Sequence, residues 1–312
     1  MQPGVASARP GMTARPRLLL DSPSLTYRAF FALPVQIRSP SGRSTNAVHG
    51  YLDMCSRLIT DRRPAGLVHV PDTDWRPAFR VAAYPGYKAN RREDPPELPP
   101  QFELIDEIVD AAGMERATAS GVEADDVLGT LATRATPHAP VEIVTGDRDL
   151  LQLVRDPEVA VLFTVRGVGV LERYDEQAVK AKYGVRPQGY ADMAILRGDT
   201  SDDLPGVAGI GAKTAATLIG QFGTLVALRA AVATGRPHGI SPRQATALRE
   251  AAAYLDAMAD VVPVLCDLEL QETPRTPPDI PRLEAIAERE RVGGPIKRLL
   301  AALEILDATN AA

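Results

Sequence analysis

The sequence predicts an α/β protein in which a mostly parallel β-sheet is flanked by helices. Three short apolar runs, RLLLDS, GLVHVPD and VEIVTGD, each contain an aspartate at or near their end, and segments of helical periodicity separate them along the 312-residue chain. Strands that alternate with helices form parallel sheets, and ligands usually bind at the carboxyl edge of such a sheet. We therefore expect Asp21, Asp72 and Asp147 to lie at one edge.

Composition and charge restrict the class of protein. Hydrophobic residues make up 45% of the chain and charged residues 24%, which is ordinary for a globular protein. The formal net charge of −5 gives no global basic signature, so nucleic acid would need a local basic patch. Cys55 and Cys266 are too few for a disulfide framework, and a cytoplasmic location is expected. No apolar run approaches the roughly 20 residues of a membrane span, so no membrane partner is expected.

The segment after residue 120 adds a second acidic group. Glu123, Asp125 and Asp126 stand at the start of a predicted helix, in SGVEADDVLGTLATRA. Capping and the helix dipole explain one or two of these carboxylates more easily than all three. The three-residue step from Glu123 to Asp126 places these two on one face of the helix, whereas Asp125 points elsewhere.

Further carboxylates have routes to the same edge. They are Asp149, two residues after Asp147, and Asp199 and Asp202 in the turn GDTSDD. Like charges about 4 Å apart cost on the order of 4 kcal/mol per pair even at an effective dielectric near 20, so the cluster needs protons or cations. Carboxylates without Cys or His favour Mg²⁺ or Mn²⁺ over Zn²⁺, and two such ions suit displacement at phosphorus.

The segment PGVAGIGAKTAATLIGQFG predicts a turn followed by a helix over about 212–222. The amides of a glycine-rich turn, a helix amino terminus and Lys213 together suit a phosphate group. A nucleotide-binding P-loop requires Gly-Lys where Gly211 and Ala212 stand, so that motif fails by one position. A purely structural helix hairpin remains the alternative.

The stretch WRPAFRVAAYPGYKANRRE combines cations with aromatic rings. This mixture is typical of single-strand binding, because cations follow the backbone while rings stack on bases. A basic loop over an apolar core is the alternative, and for most of the aromatic residues it is the favoured interpretation. Tyr87 and Lys88, beside a proline-glycine turn, are the functional candidates.

Five motifs in this order resemble the 5′ nuclease family, which includes the nuclease domain of bacterial DNA polymerase I, phage 5′ exonucleases and flap endonucleases. The motifs are LLLDS, PGYKANR, VEADDVLGTLA, IVTGDRDLLQL and GDTSDDLPGVAGIGAKTA, and the resemblance spans roughly residues 17–264. It implies a PIN-like or resolvase-like sheet, a helical arch and a helix-three-turn-helix, which is a helix-hairpin-helix variant.

The resemblance also implies a division of the chain. We expect a disordered tail (1–16), a catalytic α/β domain (17–185) with the arch at about 75–100, the helix-three-turn-helix subdomain (186–265) and a carboxyl-terminal extension (266–312). In the last part of the chain, 261–265 is predicted as a strand and 282–306 as mostly helical.

The resemblance also implies roles for the residues that match the family's motifs. It implies a first metal group of Asp21, Asp72, Glu123 and Asp125, a second group of Asp147, Asp149 and Asp202, and outer contributions from Asp126 and Asp199. It implies catalytic roles for Lys88 and Arg91 at the scissile phosphate. It implies DNA contacts from Arg80, Tyr87, Lys88, Arg91, Gly209, Gly211, Lys213 and Thr214.

Two departures from the family pattern bear on these assignments. Pro71 precedes Asp72 where a large apolar residue is commoner, which leaves Asp74 as an alternative ligand to Asp72. Asp203 replaces a usual Asn, and its extra charge is expected to weaken nearby phosphate binding slightly.

The implied enzyme is a metal-dependent 5′-3′ exonuclease and flap endonuclease of DNA replication and repair. It would use two or more Mg²⁺ or Mn²⁺ ions, with K⁺ in the helix-three-turn-helix, and act as a monomer on DNA with 5′ flaps, nicks or 5′ ends. Replication or repair proteins are possible partners. A PIN-class ribonuclease would not need the glycine-rich duplex clamp, and a non-catalytic relative would be expected to lack some of the acidic ligands. The sequence leaves the balance of flap cutting and exonuclease action open.

Overall fold

A computed structural model of the chain describes residues 14–235 and 238–311. Residues 1–13 of the predicted disordered tail lie outside the described residues. Within the described part, seven strands form one sheet in the order β6-β5-β4-β1-β2-β3-β7. The strands are β1 (Arg17–Asp21), β2 (Gly66–Val70), β3 (Glu115–Thr118), β4 (Val141–Thr145), β5 (Val159–Arg166), β6 (Val170–Tyr174) and β7 (Gln271–Thr273).

The centre of the sheet is parallel. Strand β1 lies between β2 and β4 and pairs with both in parallel, whereas β6 and β7 join the two edges in antiparallel orientation. The three apolar runs of the sequence therefore form adjacent central strands. The predicted α/β fold with a mostly parallel sheet is confirmed.

Thirteen α-helices lie in the described part of the chain. They are α1 (Ser22–Ala32), α2 (Asn46–Arg62), α3 (Ala78–Ala83), α4 (Pro99–Ala111), α5 (Ala124–Thr133), α6 (Glu176–Tyr183), α7 (Tyr190–Arg197), α8 (Ala212–Phe222), α9 (Leu225–Ala233), α10 (Pro242–Glu250), α11 (Ala252–Met258), α12 (Ile280–Glu290) and α13 (Gly293–Ala311). The predicted helix after the glycine-rich turn is confirmed as α8.

Alternation along β1 separates two hydrophobic cores. Leu18 and Leu20 pack with apolar residues of α1, α2, α4, α12 and α13, whereas Leu19 packs with α5 and the helices that follow β6. Successive side chains of a strand point to opposite faces, which is why neighbouring leucines enter different cores. The sheet is covered on both faces, and its carboxyl edge is left for the acidic residues.

The helices after β6 are fastened to one another around a turn between α7 and α8. The amide of Val207 donates to the carbonyl of Leu196 at 2.9 Å. The Tyr254 hydroxyl donates to the Ile195 carbonyl at 3.1 Å and accepts from the Gly206 amide at 3.2 Å. These bonds hold the turn that follows the acidic segment 199–203 in a fixed place relative to α7.

The extension after residue 265 contains the predicted helices, which are α12 and α13. Helix α13 packs on α2, where Arg298 forms an ion pair with Asp53 at 2.8 Å. The predicted strand over 261–265 is wrong. Backbone groups of this segment bond to side chains and not to a neighbouring strand. The Val261 carbonyl accepts from Arg80, and the Leu265 amide donates to Asp126.

The two ends of the described chain meet at the edge where β1 and β2 begin. Arg15 donates to the Thr309 carbonyl at 2.9 Å, and Asn310 donates to the Ala65 carbonyl at 2.9 Å. Among the described helices, none is long and apolar enough by itself to cross a bilayer. Helices α8 and α9 meet that criterion only as a pair, by length and composition, and the pair is bent by 82°.

Candidate active site

The central strands bring the predicted acidic residues to one place. Asp21 ends β1, Asp72 stands two residues after β2, and Asp147 stands two residues after β4. These three line one cavity of about 1340 Å³ together with Glu123 and Asp125 at the start of α5. The carboxyl edge of the sheet is thus the floor of this cavity.

Hydrogen bonds fix the ends of β1 and β4 to each other. Asp21 is 3% exposed and accepts from the Ser24 amide at 3.2 Å and from the Thr145 hydroxyl. The same Thr145 oxygen accepts from the Asp147 amide at 2.8 Å. One buried hydroxyl therefore links the carboxylate at the end of β1 to the backbone that carries Asp147.

Arg28 is a cation of this cavity that sequence reasoning missed. It lies on α1 seven residues, or two helical turns, after Asp21, and that spacing was the available signal. A Cβ atom at Gly146 would lie 2.3 Å from its Nε, so the glycine of TGDRD leaves room for the guanidinium. Burial lowers the pKa of Arg28, and nearby Asp21 opposes that change.

Asp72 is better placed than Asp74 to be a ligand. Its Oδ1 accepts from the Ala124 amide at 2.7 Å, which joins it to the start of α5 and to Asp125. Asp74 instead accepts from the Arg76 amide at 3.0 Å and forms a local turn. The geometry favours Asp72 over the alternative that the sequence left open.

Crowding changes the acidity of these carboxylates. The pKa of Asp21 is raised to about 7, mainly by burial and with smaller contributions from the charges of Asp147 and Asp72, which together outweigh the hydrogen bond from Thr145. The pKa of Asp72 is raised to about 6, mainly because the surrounding cavity walls reduce its hydration. The residue still has an exposed surface that faces into the cavity. Burial, followed by the charges of Asp147 and Asp21, holds the pKa of Asp125 well above its ordinary value.

The second predicted group lies beside the first. Asp149 and Asp202 line a narrow cleft together with Glu123 and Asp125. Burial and the charges of Asp147, Asp199 and Asp202 raise the pKa of Asp149 well above its ordinary value. Burial also raises the pKa of Asp202 to about 6, against the attraction of Lys88.

Asp199 has a local structural task in this structure. Its carboxylate accepts from the Ser201 amide at 2.8 Å and pairs with Arg197 at 3.3 Å. Its backbone exchanges two hydrogen bonds with Leu204, which closes the acidic turn. It faces Asp149 closely enough to raise that residue's pKa, in keeping with an outer position.

The donor set fits hard divalent cations. Every candidate ligand is a carboxylate, and several have raised pKa values that a bound cation would reverse. Within residues 14–235 and 238–311, however, no three acidic, His or Cys side chains are already placed to hold a metal ion. Metal binding would therefore require side chains at this edge to adjust.

The structure corrects the assignments of Arg80 and Asp126. Arg80 is 2% exposed, and its guanidinium forms two bonds to Asp126, at 2.6 and 2.7 Å, and one to Glu123 at 2.7 Å. Asp126 is fully buried and also accepts from the Leu265 amide at 2.9 Å. Arg80 is thus inaccessible to DNA and Asp126 is saturated by protein donors, so this pair fastens α3 to α5.

Tyr87 is also unavailable for base stacking in this structure. It is 4% exposed, and its hydroxyl donates to Glu123 at 2.8 Å. Burial and the charge of Glu123 raise its pKa above the ordinary range. The prediction that this ring stacks on a base is wrong for the described conformation, because the ring packs in the core instead.

Lys88 lies at the acidic edge and bonds to protein carboxylates there. Its Nζ pairs with Glu123 and lies 3.9 Å from Asp202. Burial works to lower the pKa of Lys88, but these two carboxylates hold it above its ordinary value. Lys88 was expected to contact a phosphate. In this structure it pairs instead with an oxygen of Glu123, which is a predicted metal ligand.

Two hydrogen bonds from backbone amides hold the loop that carries Lys88 in place. The Lys88 amide donates to the Asp202 carbonyl at 3.0 Å, and the Asn90 amide donates to Asp203 Oδ2 at 2.7 Å. Lys88 and Asp203 both have positive φ, at 49° and 58°, an uncommon backbone conformation for these residues. Asp203, the departure from the family pattern, therefore positions the lysine loop.

Arg91 is exposed on the cavity wall. Its guanidinium carbon lies 5.7 Å from the centre of the Tyr27 ring and 5.8 Å from that of Trp75. Trp75 is 50% exposed and lines the same cavity. Sequence reasoning favoured a packed role for this ring, and the structure gives it the accessible position that Tyr87 lacks.

The glycine-rich turn lies on the surface, away from the acidic floor. Gly209, Gly211 and Lys213 are exposed and Thr214 is half-buried at the start of α8. Gly209 has a φ of 75°, which favours glycine. A Cβ atom there would lie 4.0 Å from Arg243 of α10, a cation of this surface that sequence reasoning did not name.

The fold and the site together define a class of protein, the metal-dependent hydrolases of phosphate esters. Residues 16–184 match the family described as "5′-3′ exonuclease, N-terminal resolvase-like domain", and residues 185–280 match "5′-3′ exonuclease, C-terminal SAM fold". The chain belongs to the 5′-3′ exonuclease family, and it is a 5′ nuclease.

Two relatives illustrate this membership, and one solved structure shares the fold. A 5′-3′ exonuclease of Streptomyces coelicolor is 47% identical over 302 residues, covering 92% of this chain and 99% of that protein. A 5′-3′ exonuclease of Mycobacterium tuberculosis is 42% identical over 315 residues, covering 93% and 98%. The structure of the flap endonuclease of bacteriophage T5, solved with DNA and metal ions, has a TM-score of 0.61 at 20% identity and covers 94% and 100% of the two chains.

Proposed function

We propose that this 5′ nuclease hydrolyses DNA phosphodiesters at 5′ flaps, nicks and 5′ ends, with Mg²⁺ or Mn²⁺ as cofactor. The observation that carries the proposal is the set of crowded carboxylates at the carboxyl edge of the sheet, together with a separate surface turn over 206–214 in which Gly209, Gly211 and Lys213 are exposed. The first element suits chemistry at phosphorus and the second suits a duplex backbone.

Two sets of residues would hold the cations. Asp21, Asp72, Glu123 and Asp125 form the first set, and Asp147, Asp149 and Asp202 form the second. Divalent ions bound there would make water a stronger nucleophile and stabilise the charge that develops on the leaving oxygen. Thr145 and the Ala124 amide hold the first set in place through hydrogen bonds to Asp21 and Asp72.

Lys88 and Arg91 would contact the phosphate that is cut. Lys88 must leave Glu123 for this purpose, which also frees that carboxylate oxygen. Arg91 already lies on the open wall of the cavity. Asp203 keeps the loop close to the site through Asn90 while the lysine side chain reorients.

The turn over 206–214 would grip duplex DNA. Exposed amides at Gly209 and Gly211, the start of α8, and Lys213 present positive potential to phosphates and no groups aimed at base edges. K⁺ within this turn forms part of the proposal, and binding measured in KCl against NaCl tests it. A monomer located in the cytoplasm, working with replication or repair proteins, is the setting we propose.

The test is the product pattern on a 5′-labelled flap next to a nick, in Mg²⁺ and in Mn²⁺. A single cut near the junction indicates flap endonuclease action, and mononucleotides indicate exonuclease action. An Asp147→Ala variant under the same conditions serves as the inactive control. Absence of any metal-dependent cutting by the folded wild-type protein would refute the proposed function.

A further inference from the structure

Exposed apolar side chains gather around the active-site cavity. Six large hydrophobic residues are conspicuously exposed in the described part of the chain, and three of them line this one cavity. These three are Phe31, Trp75 and Val165, with exposed fractions of 71%, 50% and 48%. Isolated exposed apolar residues are ordinary, but a group of them around one cavity indicates a binding surface.

Trp75 has the most distinctive setting of the three. It follows Asp72 by three residues, so its ring lies on the same wall as a predicted metal ligand. Arg91 lies between the Trp75 and Tyr27 rings, 5.8 and 5.7 Å from their centres. A ligand that meets the indole therefore also meets a cation on the loop that carries Lys88.

Charge determines which part of a nucleotide can occupy this wall. Beyond the catalytic floor, the cavity is also lined by acidic residues, namely Asp74, Glu93, Asp94, Glu103 and Asp106. A phosphate is repelled there and is favoured near the cations that line the cavity, which are Arg28, Lys88, Arg91, Arg92 and Arg166. A neutral base is not repelled, and an aromatic ring binds the face of any base.

The cavity is also large enough for a strand. Its volume of about 1340 Å³ exceeds the usual range of roughly 300–1,000 Å³ for small-molecule sites. It runs continuously from the acidic floor to the exposed rings. One unpaired nucleotide near the scissile bond can therefore reach Trp75 without leaving the cavity.

We infer that Trp75 is a stacking platform for an unpaired base of the 5′ strand, and that it determines specificity for 5′ single-stranded ends over continuous duplex. This inference rests on the proposed function, since it concerns the same cavity. In it, Arg91 meets the phosphate of the nucleotide whose base contacts the indole.

The first measurement uses the fact that Trp75 is the only tryptophan of the chain. The full-length protein is titrated with a duplex that carries a short oligothymidine 5′ flap, in EDTA so that no cutting occurs. The matched ligand is the same duplex without the flap. We expect the flap to change the intrinsic tryptophan fluorescence and the flapless duplex to leave it nearly constant.

The second measurement crosses protein variants with abasic substrates. Trp75→Leu should weaken flap binding and single-turnover cutting by roughly 5- to 160-fold, the range that loss of one base–aromatic stack produces. Trp75→Phe should restore much of this loss because it restores a ring. On a flap whose nucleotides lack bases, wild type and Trp75→Leu should behave alike.

Each result has a definite meaning. Equal cutting of normal flaps by wild type and folded Trp75→Leu would overturn the inference, as would a loss that persists on abasic flaps, because that loss would come from displaced Arg91. Ile280→Ala, at an exposed apolar position outside the cavity, is the control that should change nothing. If wild type cuts no 5′ substrate, the proposed function fails, whereas normal cutting without a Trp75 effect rejects the stacking platform alone.

Discussion

The acidic edge of the sheet and the glycine-rich turn are built in opposite ways. At the edge, acidic side chains would carry the proposed chemistry, and buried hydrogen bonds such as that from Thr145 to Asp21 hold them in place. At the turn, exposed backbone and Lys213 would carry the proposed duplex binding, and the helices behind them provide the support. Because the two regions share no catalytic side chain, chemistry and duplex affinity should respond to different substitutions.

The sharpest test of this comparison is Asp125→Ala. Cutting should fall by at least about 10³-fold, because the lost carboxylate acts on the transition state. Duplex affinity should be kept, since the turn over 206–214 is untouched. Single-turnover cleavage and equilibrium binding in EDTA measure the two quantities, and near-normal cutting by folded protein would remove Asp125 from the site.

The neighbouring substitution Asp126→Ala should act on stability instead. It leaves Arg80 buried without its bidentate partner, which typically costs about 3–5 kcal/mol of unfolding free energy. Urea denaturation of Asp125→Ala and Asp126→Ala compares their free energies of unfolding. Equal stability of Asp126→Ala and wild type would contradict the structural role assigned to this ion pair.

Lys88→Ala tests whether the lysine loop belongs to chemistry or to binding. We expect a loss of about 10²-fold in single-turnover cutting with little change in duplex affinity, because the charge acts near the reacting phosphate. Lys88→Arg is the matched control that keeps the charge. Parallel losses of cutting and affinity would place Lys88 on a general binding surface.

The pKa shifts predict an unusual pH dependence for the metal-free protein. The pKa values of Asp21, Asp72 and Asp202 are raised to about 7, 6 and 6 from 3.8, so their contribution to stability is present below about pH 4 and is lost as pH rises through 6 to 7. Mg²⁺ should reverse this loss. We expect it to raise Tm more at pH 8 than at pH 5, and an equal shift at both would contradict the prediction.

The smallest expected effect belongs to the turn. Lys213→Glu should weaken binding to all duplex sequences alike and reduce the slope of log affinity against log salt by about one. Asp202→Ala is its counterpart, because it should impair cutting and keep affinity or raise it. Normal binding by Lys213→Glu at every KCl concentration would show that the turn over 206–214 is only part of a structural helix hairpin.

Local pattern was sufficient for much of the fold. The three apolar runs became β1, β2 and β4, and the start of α5 placed Glu123 and Asp126 on one face as their spacing predicted. These features depend on periodicity and strand ends, which neighbouring residues specify. The same logic brought Asp21, Asp72 and Asp147 to one cavity.

Exposure of the basic aromatic stretch could not be predicted in the same way. Arg80 and Tyr87 are buried by Glu123 and Asp126, which lie 36 to 46 residues further along the chain. Trp75 stays open because its neighbours turn locally and leave the ring at the cavity. Which ring is buried depends on those distant partners and not on the composition of the stretch.

The hydrogen bond between Arg15 and Thr309 has a practical consequence for attaching the protein to a surface. Both lie at the edge where β1 begins, and the length of β1 from Arg17 to Asp21, roughly 13 Å, separates that edge from the acidic floor. A surface tether attached at residue 15 or at residue 310 would hold the molecule by the side opposite the cavity and leave the cavity facing solution. Immobilised molecules would then present one orientation to DNA, whichever of these two residues carries the tether.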